Sequence, residues 1–173
     1  WKNIDNLTIR EQITITTYIV NYINPDFTPA YIVRGDAYFT NKDYINALQD
    51  YTIAIEQQPN NAEIYYKRGL TYNYLKDFYS NAINDFKQAT DLNNNVANFW
   101  AEYSYALKFS HYGADEMLVK AIAINPQYKN FNYNELEQQR TTIVYSSALE
   151  KALFYSYIGN YLLADKYFEI VNR

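Results

Sequence analysis

Aromatic and small side chains recur at helical spacing through residues 31–54. Tyr31, Gly35 and Tyr38 open the series, and Tyr44, Ala47, Tyr51 and Ala54 continue it after a polar break at Asn41-Lys42-Asp43. Steps of three and four residues place each set on one helix face, so the stretch predicts two helices joined by a turn. The first set carries a glycine inside "YIVRGDAYF". Glycine in a helix interior is unfavourable unless a close approach needs it. A packed crossing of the two helices supplies that need.

The pattern returns along the chain. Shifted by 34 residues, "YIVRGDAYFTNKDY" falls on "YYKRGLTYNYLKDF", and Tyr31, Gly35 and Tyr38 meet Tyr65, Gly69 and Tyr72. One extra residue enters the turn, after which Ala47, Tyr51 and Ala54 meet Ala82, Phe86 and Ala89. A degenerate third copy contains "FWAEYSYALKF", with Trp100, Ser104 and Leu107, and "GADEMLVKAIAINP", with Ala114, Leu118, Ala121 and Pro126. Its turn near His111 is about two residues short in this alignment. A fourth degenerate copy places Ala148, Ala152 and Tyr155 before Tyr161, Ala164, Phe168 and Val171. Pro59 and Pro126 end second helices, because proline cannot continue the hydrogen-bond ladder. Asn94 stands where that proline would fall in the second copy, within an Asn run suited to a turn.

The spacing "YxxRGxxYxxxxDYxxALxDYxxAI…PNN" resembles the tetratricopeptide repeat. The resemblance implies an all-α solenoid of antiparallel helix pairs in a right-handed superhelix. It divides the chain into an N-terminal packing helix (1–27), repeats at 28–61, 62–96 and a degenerate 97–126, an insertion at 127–144, and a degenerate repeat at 145–173. "LTIREQITITTYIVNYINP" is rich in β-branched residues, so strand is the alternative to helix there. Asn134 followed by Glu137 is a helix-start signal, and no breaker follows until Gly159. A long helix over 134–157 is expected, either as a capping extension or as a docking or self-association surface.

The resemblance also implies a concave groove, lined by the first helices, for an extended peptide or a partner helix. Helical phase puts Val33, Asp36, Phe39 and Thr40 there, with Tyr66, Lys67, Asn73 and Tyr74, then Glu102, Tyr105 and Lys108. One sub-type of the family clamps a C-terminal carboxylate with Lys, Asn and Arg. This chain has Ile32 and Asp36 at the first clamp positions, and Asp36 and Glu102 would repel a carboxylate. Arg34 and Arg68 lie beside the packing seam, where the stem can cover aromatic rings while the charge reaches water. "RGD" at 34–36 becomes "RGL" in the second copy. It reads as a repeat feature with a variable third residue rather than as an adhesion loop.

Composition narrows the function classes. The net charge is −4 and the pI about 5.0, which lacks the basic footprint of a nucleic-acid or anionic-membrane surface. Cysteine is absent, so there is no disulfide, thiolate metal site or Cys nucleophile. No apolar run approaches the roughly 20 residues of a membrane span. His111 is the sole histidine, and the four glycines form no phosphate loop. No catalytic constellation, cofactor or metal is expected. Tyr is abundant at 21 residues, and its flat amphipathic ring suits recognition. The opening at Trp1 suits a fragment or processed chain, and localisation stays open. The expectation is a non-enzymatic scaffold that binds a protein or peptide segment. The alternative is an oligomerisation or targeting region of a larger protein.

Overall fold

The computed structural model describes residues 3–75, 78–110 and 113–133. Those residues hold seven α-helices: α1 (Ile9–Tyr18), α2 (Thr28–Thr40), α3 (Tyr44–Gln57), α4 (Ala62–Tyr74), α5 (Tyr79–Leu92), α6 (Ala97–Phe109) and α7 (Asp115–Ile124). No strand occurs among them. Helices pair in sequence order, α2 with α3, α4 with α5 and α6 with α7, and each pair packs on the next. The fold is an α-solenoid. The turn near His111, the long helix expected over 134–157 and the fourth repeat lie outside the described residues.

Local sequence sets the helix ends. Asp43 caps α3 by accepting from the Asn46 amide, and Asn61 caps α4 by accepting from the Glu63 amide. Each cap satisfies a donor that the helix leaves without a partner. Between α2 and α3 the chain reverses through Lys42, whose φ is +61°. The Lys42 and Asp43 amides donate back to the carbonyls of Phe39 and Tyr38, which closes the α2 end. The proline-free turn after α5 is held instead by Asn93, whose side chain accepts from the Asn95 amide.

The two glycines mark helix crossings. A Cβ built on Gly35 would lie 2.7 Å from Cε1 of Tyr51, and one on Gly69 would lie 3.0 Å from Cε1 of Phe86. Tyr51 is 1% exposed and Phe86 fully buried, so neither ring has room to retreat. Ala30, Ala47, Ala54, Ala82 and Ala89 line the same interfaces without exposed area. Small residues therefore set the approach and aromatic rings fill the space beside it.

Arg34 and Arg68 depart from the expected solvent-reaching placement. Arg34 Nε and Nη2 donate to the two carboxylate oxygens of Asp50 at 2.8 and 2.7 Å. Arg68 makes the same fork with Asp85, at 2.8 Å on each arm. Asp50 is 3% exposed at the side chain, so the guanidinium must turn inward to neutralise it. Each guanidinium also lies over a ring, with its central carbon 5.5 Å from the Tyr31 centroid in Arg34 and 6.0 Å from the Tyr65 centroid in Arg68. The third guanidinium nitrogen reaches the preceding helix. Arg34 Nη1 donates to Thr17 and Arg68 Nη1 to Thr52, each at 3.2 Å.

That equivalence defines the N-terminal segment. Thr17 stands to Arg34 as Thr52 stands to Arg68, so α1 takes against α2 the place that α3 takes against α4. The segment is helical rather than extended. Thr8 and Glu11 form a reciprocal cap, and Thr14 and Thr16 return their hydroxyls to the carbonyls of Arg10 and Gln12. A single π-helical turn over Ile19–Ile23 then closes with the Asn24 amide donating to Ile19.

Two consequences for stability can be measured. Gly35→Leu should lower stability by about 3 kcal/mol, at the upper end of overpacking costs, and an unchanged urea midpoint would contradict the crossing geometry. Arg34→Met alone should cost about 3–5 kcal/mol by leaving Asp50 buried and unpaired, whereas adding Asp50→Leu should recover most of that loss. Additive losses in that double-mutant cycle would show that the two groups do not act as a pair.

Candidate functional site

The first helices of the pairs, α2, α4 and α6, are joined side by side through polar and aromatic contacts. Lys67 Nζ on α4 donates to both carboxylate oxygens of Asp36 on α2, at 2.9 and 3.0 Å. Tyr51 Oη on α3 donates to Asp36 at 2.7 Å. Phe39 on α2 meets Tyr74 on α4 edge to face, with centroids 5.1 Å apart. Asn73 Nδ2 on α4 donates to the carbonyl and the carboxylate of Glu102 on α6, at 3.3 and 3.0 Å. Tyr66 stacks on Phe99 at 4.7 Å.

Between α2 and α4 these contacts frame a cavity of about 250 Å³, lined by Asp36, Phe39, Thr40, Tyr51, Glu63, Tyr66, Lys67 and Leu70. Its walls are aromatic and aliphatic, and its charges come from Asp36, Lys67 and Glu63. A wider cleft of about 660 Å³ lies beside the turns that follow α3 and α5. Its lining residues include Gln58, Asn60, Asn61 and Asn93.

The structure gathers Asp36, Phe39, Tyr66 and Lys67 at the inner cavity. Tyr74 packs beside it against Phe39 and Tyr44. Asn73 and Tyr105 differ from the expectation of a groove-facing side chain, because both are fully buried. Asn73 is drawn in to bond Glu102, and Tyr105 fills the space against Tyr79 and Phe109. Glu102 is half-buried, and Lys108 is exposed with its ammonium 5.9 Å from the Tyr133 ring centroid. The sequence leads one to expect the Asp36 charge to repel an anionic ligand. Asp36 is instead matched by Lys67, so it contributes no unopposed charge. Sequence reasoning missed Glu63 and Leu70. Both lie on the α4 face that carries Tyr66 and Lys67, at steps of three and four residues, so phase alone could have found them.

Burial and charge shift several groups. Burial pushes the Tyr51 phenol far above its ordinary value, and the neighbouring Asp36 carboxylate adds to the shift. Tyr38, Tyr103 and Tyr128 are also raised, chiefly by burial. Burial raises the Asp50 and Asp85 carboxyls, and their arginine partners offset part of that rise. No cluster of three or more His, Cys, Asp or Glu side chains is arranged to hold a metal among the described residues.

Residues 35–73 match a family described as "TPR repeat", and residues 62–96 match "Tetratricopeptide repeat". Residues 35–96 therefore carry tetratricopeptide repeats. Solved structures of other repeat proteins share the fold at low identity. The structure titled "Crystal structure of MamA" is 19% identical with a TM-score of 0.63, over 91% of this chain and 82% of that one. The first repeat domain of Spaghetti (RPAP3), bound to the HSP90 peptide SRMEEVD, is 22% identical with a TM-score of 0.56, over 64% and 88% of the two chains. The TPR2B domain of yeast Sti1, titled as a pHsp70 complex, is 23% identical with a TM-score of 0.52, over 65% and 90%.

The raised tyrosines give the repeat protein an alkaline limit. In the unfolded chain Tyr51 ionises near its ordinary value of 10, while in the fold it keeps its proton. The folded state then holds more protons, so stability is complete below that pH and falls as pH rises above it. Each fully raised group contributes a slope of up to about 1.4 kcal/mol per pH unit. Urea midpoints measured from about pH 9 to pH 11.5 should fall more steeply for the native chain than for Tyr51→Phe. Parallel slopes would remove Tyr51 from this account.

Proposed function

We propose that the face formed by α2 and α4 binds a segment of another protein, and that the chain serves as a non-enzymatic interaction scaffold. The observation that carries the reading is the aromatic-walled cavity between Phe39, Tyr66 and Leu70, rimmed by Asp36, Lys67 and Glu63. Its size suits one or two side chains, and its polar rim can orient the segment that presents them. The peptide-bound Spaghetti domain and the yeast Sti1 complex support the reading by their shared fold. Binding here needs no large movement, because the ion pair between Asp36 and Lys67 and the ring contacts already hold the two helices in place.

A photoreactive benzoylphenylalanine placed at Phe39 tests the face directly. It should cross-link a polypeptide in extracts of the source cells, and the same group at Lys87, exposed on α5, should not. Leu70→Asn should reduce that cross-link about tenfold, the equivalent of losing roughly 1.4 kcal/mol, while leaving helical circular dichroism unchanged. Equal cross-linking from positions 39 and 87 would count against this face.

A further inference from the structure

The reading of the α2–α4 face as a peptide site leaves the chemistry of the peptide open, and the inference below rests on that reading. Two concave spaces meet at one residue: Glu63 lines both the inner cavity and the wider cleft beside the turns. On the cleft side the lining residues other than Glu63 are uncharged, Gln58, Asn61, Asn93, Leu92 and Phe99 among them. On the cavity side Asp36 and Lys67 neutralise each other at 2.9 and 3.0 Å, and Asp36 also accepts the Tyr51 hydroxyl. Glu63 is exposed and forms no ion pair among the described residues. Its place in the first turn of α4 suits a carboxylate, since the helix dipole is positive there. The charge left for a ligand to meet along both spaces is therefore a single carboxylate.

We propose that this chain takes an extended peptide segment bearing Lys or Arg, with the cation at Glu63. An apolar side chain of the same segment enters the cavity against Phe39 and Leu70. The long aliphatic stem of Lys or Arg lies over apolar wall while its charged end reaches the carboxylate. Asn61 is engaged with Gln58 and the start of α4, and Asn93 accepts from Asn95, which leaves the amide nitrogens of Gln58 and Asn93 as donors for the unpaired C=O groups of an extended backbone. A helical partner has already satisfied those groups internally and would leave the amides unmatched. An acid-rich segment meets like charge at Glu63 and finds Lys67 already engaged, so it is disfavoured on this face.

A phage-displayed library of random twelve-residue peptides is the probe. It is selected in parallel on the full chain, on Glu63→Lys, and on Glu116→Lys. The last makes the same change in net charge on α7, where Glu116 is exposed and pairs with Lys120. The native chain and Glu116→Lys should both enrich Lys and Arg over the unselected library. Glu63→Lys should lose that enrichment and bind the peptides selected on the native chain about tenfold more weakly, as expected for removing and reversing one close charge contact. Enrichment of Asp and Glu on the native chain would overturn the proposal. So would equal behaviour of Glu63→Lys and Glu116→Lys. Binders lost on Leu70→Asn but indifferent to Glu63 would overturn the charge assignment and leave the peptide-binding face standing. Failure to select any peptide that depends on Leu70 would remove both.

Discussion

The guanidinium fork joins three helices at once, and the packing of the solenoid depends on it. Arg34 on α2 binds Asp50 on α3 with two nitrogens and Thr17 on α1 with the third. The same set recurs one repeat later with Arg68, Asp85 and Thr52. A buried ion pair contributes little net stability over a well-packed apolar replacement, because desolvation offsets the attraction. Its physical consequence is registry. Sliding either helix by one residue would strand a buried carboxylate, while the aromatic packing alone would tolerate the slip more readily. The fork thus fixes both the geometry inside a helix pair and the offset between successive pairs.

The glycine crossing works with that registry. Removing the Cβ at Gly35 and Gly69 lets the Tyr51 and Phe86 rings lie against the first helix. Once Tyr51 is held there, its hydroxyl reaches across to Asp36, and Asp36 in turn receives Lys67 from the next pair. A core contact is therefore linked to the surface of the candidate site through a single phenol. This explains why one side chain can be 1% exposed and still line the inner cavity.

Much of the fold was legible because the repeat imposes one physical requirement twice. Gly35 and Gly69, with Ala47 and Ala82, recur because backbones must come close at equivalent places, and that demand leaves a mark in composition. The partners of Arg34 and Arg68 were less legible. Asp50 and Asp85 are polar residues at core positions, and only the geometry shows that the arginine turns inward. The equivalence of α1 to a second helix was hidden for a different reason. Where α3 offers Tyr51 at the crossing, the matching position in α1 is Thr16, so the aromatic signal vanishes although the Arg34–Thr17 contact persists. For the candidate site, phase found Asp36, Phe39, Tyr66 and Lys67 but could not separate half-exposed from buried positions. Asn73 and Tyr105 have the right phase and no surface, because neighbours from α5 and α6 close over them.

The charge of the site follows from the same pairing logic. A repeat protein presents successive first helices side by side, so a charged residue on one can be answered by its neighbour before any ligand arrives. Asp36 is answered by Lys67 across one interval, and Glu102 takes Asn73 across the next. Counting charges along the inner face therefore misstates what a ligand meets. Under the proposed reading, specificity at such a face would reside in the charges that neighbouring helices leave unmatched, and at the cavity between α2 and α4 that charge is Glu63, at the start of α4. Helix-to-helix pairing, more than composition, decides the sign of the surface a partner would read.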